Sequence, residues 1–274
     1  MDWSDDGIVL SARKYGESAA IVTLLTLANG RHAGLVRGGT GRRARGIYQP
    51  GNRVRATWRA RLADHLGSYS CELTHSWAAD ILDDSLRLMA LSAACAMTEV
   101  TLAEREPHPA LFQGLTALLS SLASRPETVN GTEPGNGDDG GDAGGDDGGD
   151  AGFAAPWPAR YARWELMLLS ELGFGLDLAS CAVTGASDDL VFVSPRTGRA
   201  VSSDAGAPYK ERLLPLPAFL TMADTPDDVG TPTREDINNG LALTGYFLER
   251  NVFAVHDRAV PAARIRLVEA LARR

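Results

Sequence analysis

At 274 residues, 44% of them apolar and 23% charged, the chain describes a soluble protein with a real core, in one large domain or two ordinary ones. A formal charge of −8 argues against a polyanion-binding protein, yet residues 127–152 alone hold eight acids and no base, so the remainder sums to zero. That remainder is uneven, because residues 31–61 hold nine arginines and not one Asp or Glu.

In chain order, the opening MDWSDDGIVL begins with acids and lacks the basic region of a secretory signal. GIVLSARKY reads as a first strand, AAIVTLLTLANG as a second ended by an Asn-Gly turn, and RHAGLVRGG as a third stopped by glycines. In NRVRATWRAR, Val54, Ala56, Trp58 and Ala60 share one parity while Arg53, Arg55, Arg59 and Arg61 take the other. A strand sends those two sets to opposite faces, so Trp58 is expected inside and the arginines outside. SYSCELTHSW is the fifth strand, with Tyr69, Cys71, Leu73, His75 and Trp77 on one parity, which reads His75 as a satisfied core histidine. Five short strands without a helical period predict a small barrel. The oligonucleotide-binding (OB) barrel is the commonest five-stranded form, and an SH3-like barrel satisfies the same pattern.

From Ala78 the period becomes helical. Leu82, Leu86, Met89, Ala93 and Met97 follow it, as do Leu111, Leu115, Leu118 and Leu122. LMALSAACAM, the densest apolar run, is a buried helix and too short to span a membrane. Further helices are expected in RYARWELMLLSELGF, near 217–222, in TREDINNGLALTGYFLERNVF behind a Thr233/Asp236 capping box, and in PAARIRLVEALARR behind Pro261. The glycine- and aspartate-rich tract at 127–152 has almost nothing to bury and is expected to be disordered, an insertion between two helices. It is read as a solubilising spacer, with competition against an anionic ligand for the arginines as the alternative.

No catalytic constellation emerges. GGTGRR lacks the Gly-Lys-Ser/Thr ending of a phosphate loop, so Gly38, Gly39 and Gly41 read as a turn between strands, and neither GxSxG nor HExxH occurs. His108 reads as a loop residue at a helix entrance; His32 and His65 lie near arginines and are weak phosphate candidates. Cys71, Cys95 and Cys181 are odd in number and far apart, which suggests a reducing cytoplasm. Cys181-Ala-Val-Thr184 has the spacing of half a zinc knuckle, but one thiol cannot hold a structural zinc, so no metal and no cofactor are expected.

The arginines remain. A basic edge strand that repels aggregation is one reading. Against it, Arg31, Arg37, Arg42, Arg43 and Arg45 feed the same region as Arg53, Arg55, Arg59 and Arg61, and nine cations without a counter-acid repel one another unless an anion is usually present. Alternate strand positions stand about 7 Å apart, a ladder suited to an extended phosphate chain. Tyr48, in GIYQPGN, is the residue placed to stack a base.

The segments GLVRGG, YQPGNRVRATWRARLADHLGSYSCEL, LAEREPHPALF, ELGFGLDLASCAVTG and LVFVSPRTGRAVSSDAGAPY resemble, in order and spacing, the bacterial recombination mediator family RecO. That resemblance implies an α+β protein: an OB domain over 1–78 and a helical domain over 79–274, carrying the acidic insertion. It implies a non-enzymatic mediator that binds single- and double-stranded DNA, anneals complementary strands and helps load RecA onto strands coated with single-strand-binding protein. The implied partners are RecR and the C-terminal tail of single-strand-binding protein, and the implied location is the cytoplasm, in association with the nucleoid. Some members carry a four-cysteine zinc knuckle; Cys181 matches its first ligand, whereas Thr184, Ser202 and Ala205 stand at the other three, so the chain resembles the zinc-free branch. An adaptor whose barrel recognises a protein rather than DNA is the competing expectation.

Overall fold

The computed structural model describes residues 1–62, 64–124, 157–221 and 231–273. Five strands come first: β1 (Asp2–Tyr15), β2 (Ala19–Thr26), β3 (Gly30–Val36), β4 (Asn52–Arg59) and β5 (Ser68–Ser76), with the short helix α1 (Arg42–Ile47) between β3 and β4. They close in the order β1-β2-β3-β5-β4, all ladders antiparallel except the Leu35–Ser68 junction of β3 with β5. This is the OB order, and it decides against the SH3-like alternative. β1 starts earlier than its apolar pattern, because Asp2, Ser4 and Asp6 occupy outward positions opposite β4.

The period of two in β4 holds. Val54, Ala56 and Trp58 are buried with Val9, Val22, Leu24 and Tyr69, while Arg55 and Arg59 are exposed. Trp58 is 2% exposed; its indole N–H donates to the Leu66 carbonyl at 2.9 Å, and its ring stacks on Trp3 at 5.7 Å. β4 lies between β1 and β5, so the edge-strand reading of its arginines falls. The expected parity of β5 fails beyond Cys71. Leu73, still opposite Val54, is 44% exposed, and a register shift between Leu73 and His75 sets His75 opposite outward Arg53, exposed and paired with Asp80 at 3.0 Å. His75 is therefore not a core histidine.

Helices follow: α2 (Trp77–Asp80), α3 (Ser85–Thr101), α4 (Pro109–Ala123) and α5 (Trp157–Glu171). A small sheet in the order β7-β6-β8 comes next, made of β6 (Leu190–Val193), β7 (Ala200–Ser202) and β8 (Leu214–Pro215), with α6 (Ser203–Gly206) between its second and third strands. α7 (Arg234–Phe247) and α8 (Ala262–Arg273) end the chain. Asp84 caps α3 by accepting from the Leu86 and Arg87 N–H groups, so Leu82 stays outside the helix and exposed. Thr233 and Asp236 form the expected capping box, and Pro261 directly precedes α8. Leu111, Leu115, Leu118 and Leu122 are all buried. The helix expected near 217–222 is a single tight turn, Ala218–Leu220, with Met222 outside the described residues. The acidic tract at 127–152 also lies outside them.

The barrel and the helical half share a core. Ile8, Leu10 and Leu25 face out of the barrel and pack with Ala90, Leu91 and Ala94 of α3. Polar contacts reinforce the seam: the Ser11 hydroxyl and the Arg13 guanidinium both donate to Glu99, at 2.6 and 2.7 Å.

Candidate nucleic-acid interface

β4 displays Arg53, Arg55, Thr57 and Arg59 on the outer surface of the barrel, and the strands on either side determine what those arginines meet. β1 sets Asp6 opposite Arg55 and Asp2 opposite Arg59; β5 sets Glu72 opposite Arg55 and Ser68 opposite Arg59. Asp6 bridges two arginines, its Oδ2 accepting from Arg53 and its Oδ1 from Arg55, each at 3.1 Å. Burial works to raise the Asp6 carboxyl, but the bonds and charges of Arg55 and Arg53 outweigh it and hold the pKa below the usual value. The expectation of arginines without a counter-acid is thus corrected for Arg53 and Arg55. The acid comes from a strand distant in sequence.

Arg31 is corrected too. Only 19% of its side chain is exposed, and it points to the helical half, donating to the Leu102 carbonyl at 2.9 Å and pairing with Glu104 at 3.4 Å. It fastens the barrel to the end of α3.

Six of the nine keep a free charge. Arg37, Arg42, Arg43, Arg45, Arg59 and Arg61 are exposed and form no ion pair among the described residues. Arg42, Arg43 and Arg45 lie on α1, and Arg45 donates to the Thr40 carbonyl, which fixes the helix start. The backbone relates the two groups through one row of the barrel: Arg59 of β4 faces Ser68 of β5, which pairs with Leu35 of β3, two residues before Arg37. The Leu35 N–H also donates to the Gly67 carbonyl at 3.0 Å, tying the loop that carries Arg61 to the end of β3. Ser68 and Ser70 therefore run between two sets of arginines. That surface can hold an extended polyanion, with hydroxyls between the cations.

The aromatic assignment changes as well. Tyr48 is 6% exposed, packed into the barrel core beneath α1 beside Cys71, and burial pushes its phenol pKa up. It cannot stack a base. His32 is buried among Trp3, Trp58 and Tyr69, with the Tyr69 hydroxyl 3.1 Å from Nδ1, so it is no phosphate ligand; burial and then the charge of Arg105 lower its pKa. Among the described residues of the barrel, the exposed aromatic is Tyr15, 57% exposed at the tip of the β1–β2 hairpin. Its position beside Lys14 and the turn glycine Gly16 was the signal available in the sequence.

The knuckle keeps its shape without thiols. The turns at Cys181–Thr184 and Ser202–Ala205 meet, and the Cys181 sulfur accepts from the Ser202 N–H at 3.3 Å and lies 3.4 Å from the Ser202 hydroxyl. Bonds from Ser202 and Thr184 pull the thiol pKa down to about 6. One sulfur among hydroxyl donors and an alanine does not fit a four-ligand zinc site, and hydrogen bonds join the two turns instead. Among the described residues no cluster of His, Cys, Asp and Glu of metal-binding size stands together, and no helix is long and apolar enough to cross a membrane.

Residues 1–77 match the family Recombination protein O N terminal, and residues 82–130 and 150–258 match Recombination protein O C terminal. The chain belongs to the RecO family. Its helical match is interrupted over 131–149, inside the Gly/Asp tract. The chain is 47% identical to the DNA repair protein RecO of Rhodospirillum centenum over 98% of its length and 94% of the relative's. It is also 47% identical to that of Rhodospirillum rubrum, over 100% and 97%, and 45% identical to that of Phenylobacterium zucineum, over 99% and 98%. Family membership carries the coarse role with it, DNA repair and recombination.

Proposed function

We propose that the chain is a recombination mediator that binds single- and double-stranded DNA on its barrel, anneals complementary strands and helps load RecA onto strands coated with single-strand-binding protein. The observation that carries this reading is the free charge of Arg37, Arg42, Arg43, Arg45, Arg59 and Arg61 on either side of β5. Such cations bind phosphates and release condensed counterions. Neutralising two strands on one surface lowers the repulsion that opposes their pairing. Arg53 and Arg55 contribute to the same face only as far as phosphate displaces Asp6. No bond is made or broken, and no metal or cofactor takes part. The barrel at 1–78 is the DNA-binding unit, the helical domain at 79–274 its platform, and the cytoplasmic nucleoid its place of action. The test is annealing of complementary oligonucleotides: Arg42→Glu, Arg43→Glu and Arg59→Glu together abolish the acceleration, whereas retention of wild-type rates by a folded variant refutes the assignment.

A second reading, protein recognition, is supported by a cleft of about 910 Å³ between the barrel and the helical half. His256 and Arg258 line it together with Arg13, which is paired with Glu99, and Arg31, which is paired with Glu104, and Phe174 and Phe253 supply apolar walls. An acidic peptide with an apolar end suits that lining. The tail of single-strand-binding protein has this chemistry by the family resemblance, which implies RecR as the other partner. Loss of tail-peptide binding in Arg258→Glu supports this placement, and unchanged binding removes it.

A further inference from the structure

Tyr15 has no structural task among the described residues. Its ring belongs to neither core, and more than half of it faces solvent, at the point where β1 turns through Gly16 into β2. The tip is nonetheless held in place. The Thr40 N–H donates to the Ser18 carbonyl at 3.1 Å, and the Thr40 hydroxyl donates to the same oxygen at 3.1 Å. Gly39 lies so close to Ala20 that a Cβ there would come within 2.7 Å of the alanine's own. The segment that begins with Arg37 and leads into α1 is thus fastened to the hairpin carrying Tyr15.

Register fixes the rest. Tyr15 pairs with Ala19, and Ala20 pairs with Val36, the last residue of β3, so Arg37 leaves the sheet at the end of β2 where Tyr15 lies. Both side chains are exposed, and β2 alone separates the strands that carry them to this end, β1 and β3, an interval of about 10 Å. Lys14 precedes the ring, Arg42, Arg43 and Arg45 follow Arg37, and Glu17 in the turn is the acid nearest in sequence. An aromatic face beside phosphate-binding cations at this separation matches the reach from a phosphate to its own base.

We propose that Tyr15 stacks an unpaired nucleobase whose phosphate is held at Arg37, so that this end of the barrel favours single-stranded over double-stranded DNA. The proposal rests on the arginine surface as a DNA site and adds to it a strand preference that charge alone does not supply. Phosphate contacts are common to both forms, whereas a base inside a duplex has its faces covered by its neighbours.

The test compares Tyr15→Ala and Tyr15→Phe in the full chain, titrating a fluorescent oligothymidylate and a duplex of equal length. Tyr15→Ala weakens single-strand binding by roughly five- to a hundredfold. It leaves duplex binding, the salt dependence and the unfolding midpoint unchanged, while Tyr15→Phe behaves as the wild type on both. Equal losses on both forms, or no loss on either, overturn the stacking role and leave the arginine reading standing. A wild-type chain that binds neither form overturns both.

Discussion

Asp6 and Arg55 are Cα partners across the β1–β4 ladder, and the Oδ1 of the first accepts from the Nη1 of the second at 3.1 Å. The other oxygen of the same carboxylate takes Arg53, so one acid restrains two of the cations that β4 presents. On the proposed DNA-binding reading, Asp6 competes with phosphate for these two arginines. Replacing it with Asn frees both guanidinium groups while keeping the side-chain size. Because an exposed or half-exposed pair is worth about 0.2–1 kcal/mol, D6N should tighten oligonucleotide binding by about one and a half- to fivefold at low salt. Fluorescence anisotropy measures it, and unchanged binding would place Arg53 and Arg55 outside the DNA path.

Trp58 anchors the barrel beneath that face. Trp58→Ala removes a buried indole, its bond to Leu66 and its stack on Trp3, at a cost of about 3–5 kcal/mol. Gly67 guards the same ring: at φ +62°, a Cβ there would lie 2.3 Å from the indole nitrogen. Urea unfolding should report both W58A and G67A as destabilised, and a wild-type midpoint for W58A would contradict its place in the core.

In the helical half, Glu165 and Arg264 form a buried pair. The Nε of Arg264 donates at 2.7 Å and its Nη2 at 2.9 Å to the two carboxylate oxygens, and the Thr244 hydroxyl adds a bond at 2.5 Å. Burial works against the guanidinium, but the charge of Glu165 outweighs it and raises the Arg264 pKa. Arg264→Met alone strands a buried carboxylate and should cost about 3–5 kcal/mol, while E165M/R264M together should recover much of that loss. A double-mutant cycle read by denaturant unfolding decides it.

His32 makes stability depend on pH. Its folded-state pKa lies below the ordinary 6.5, so the unfolded chain binds its proton more readily. Stability from this group is present above 6.5 and is lost as pH falls through that value. The midpoint of thermal unfolding should drop between about pH 7.5 and about pH 5, with a shallower drop in His32→Gln. Equal slopes in the two proteins would remove His32 as the cause.

The sequence made the barrel and its inward face legible because a period of two allows only one arrangement of Val54, Ala56 and Trp58 once a core exists. The capping box at Thr233 was legible for the same kind of local reason. What failed was non-local. Asp6 lies 47 residues from Arg53, so a local tally of charge along the chain missed it. His75 followed the parity of its strand until a register shift turned it outward, and Tyr48 looked like a loop aromatic because α1, which covers it, carries no periodic apolar signal. The candidate site was legible only as a charge excess, and the distribution of its arginines over β4, α1 and the β3 end required the closed barrel.

The central claim is that the free arginines flanking β5 bind the phosphates of DNA, and the most direct measurement is the affinity for a fluorescent single-stranded oligonucleotide across a salt series. With four to six phosphates neutralised, the logarithm of the association constant should fall against the logarithm of salt with a slope of about −3 to −4. A slope near zero, or no binding at low salt by the folded protein, would contradict it.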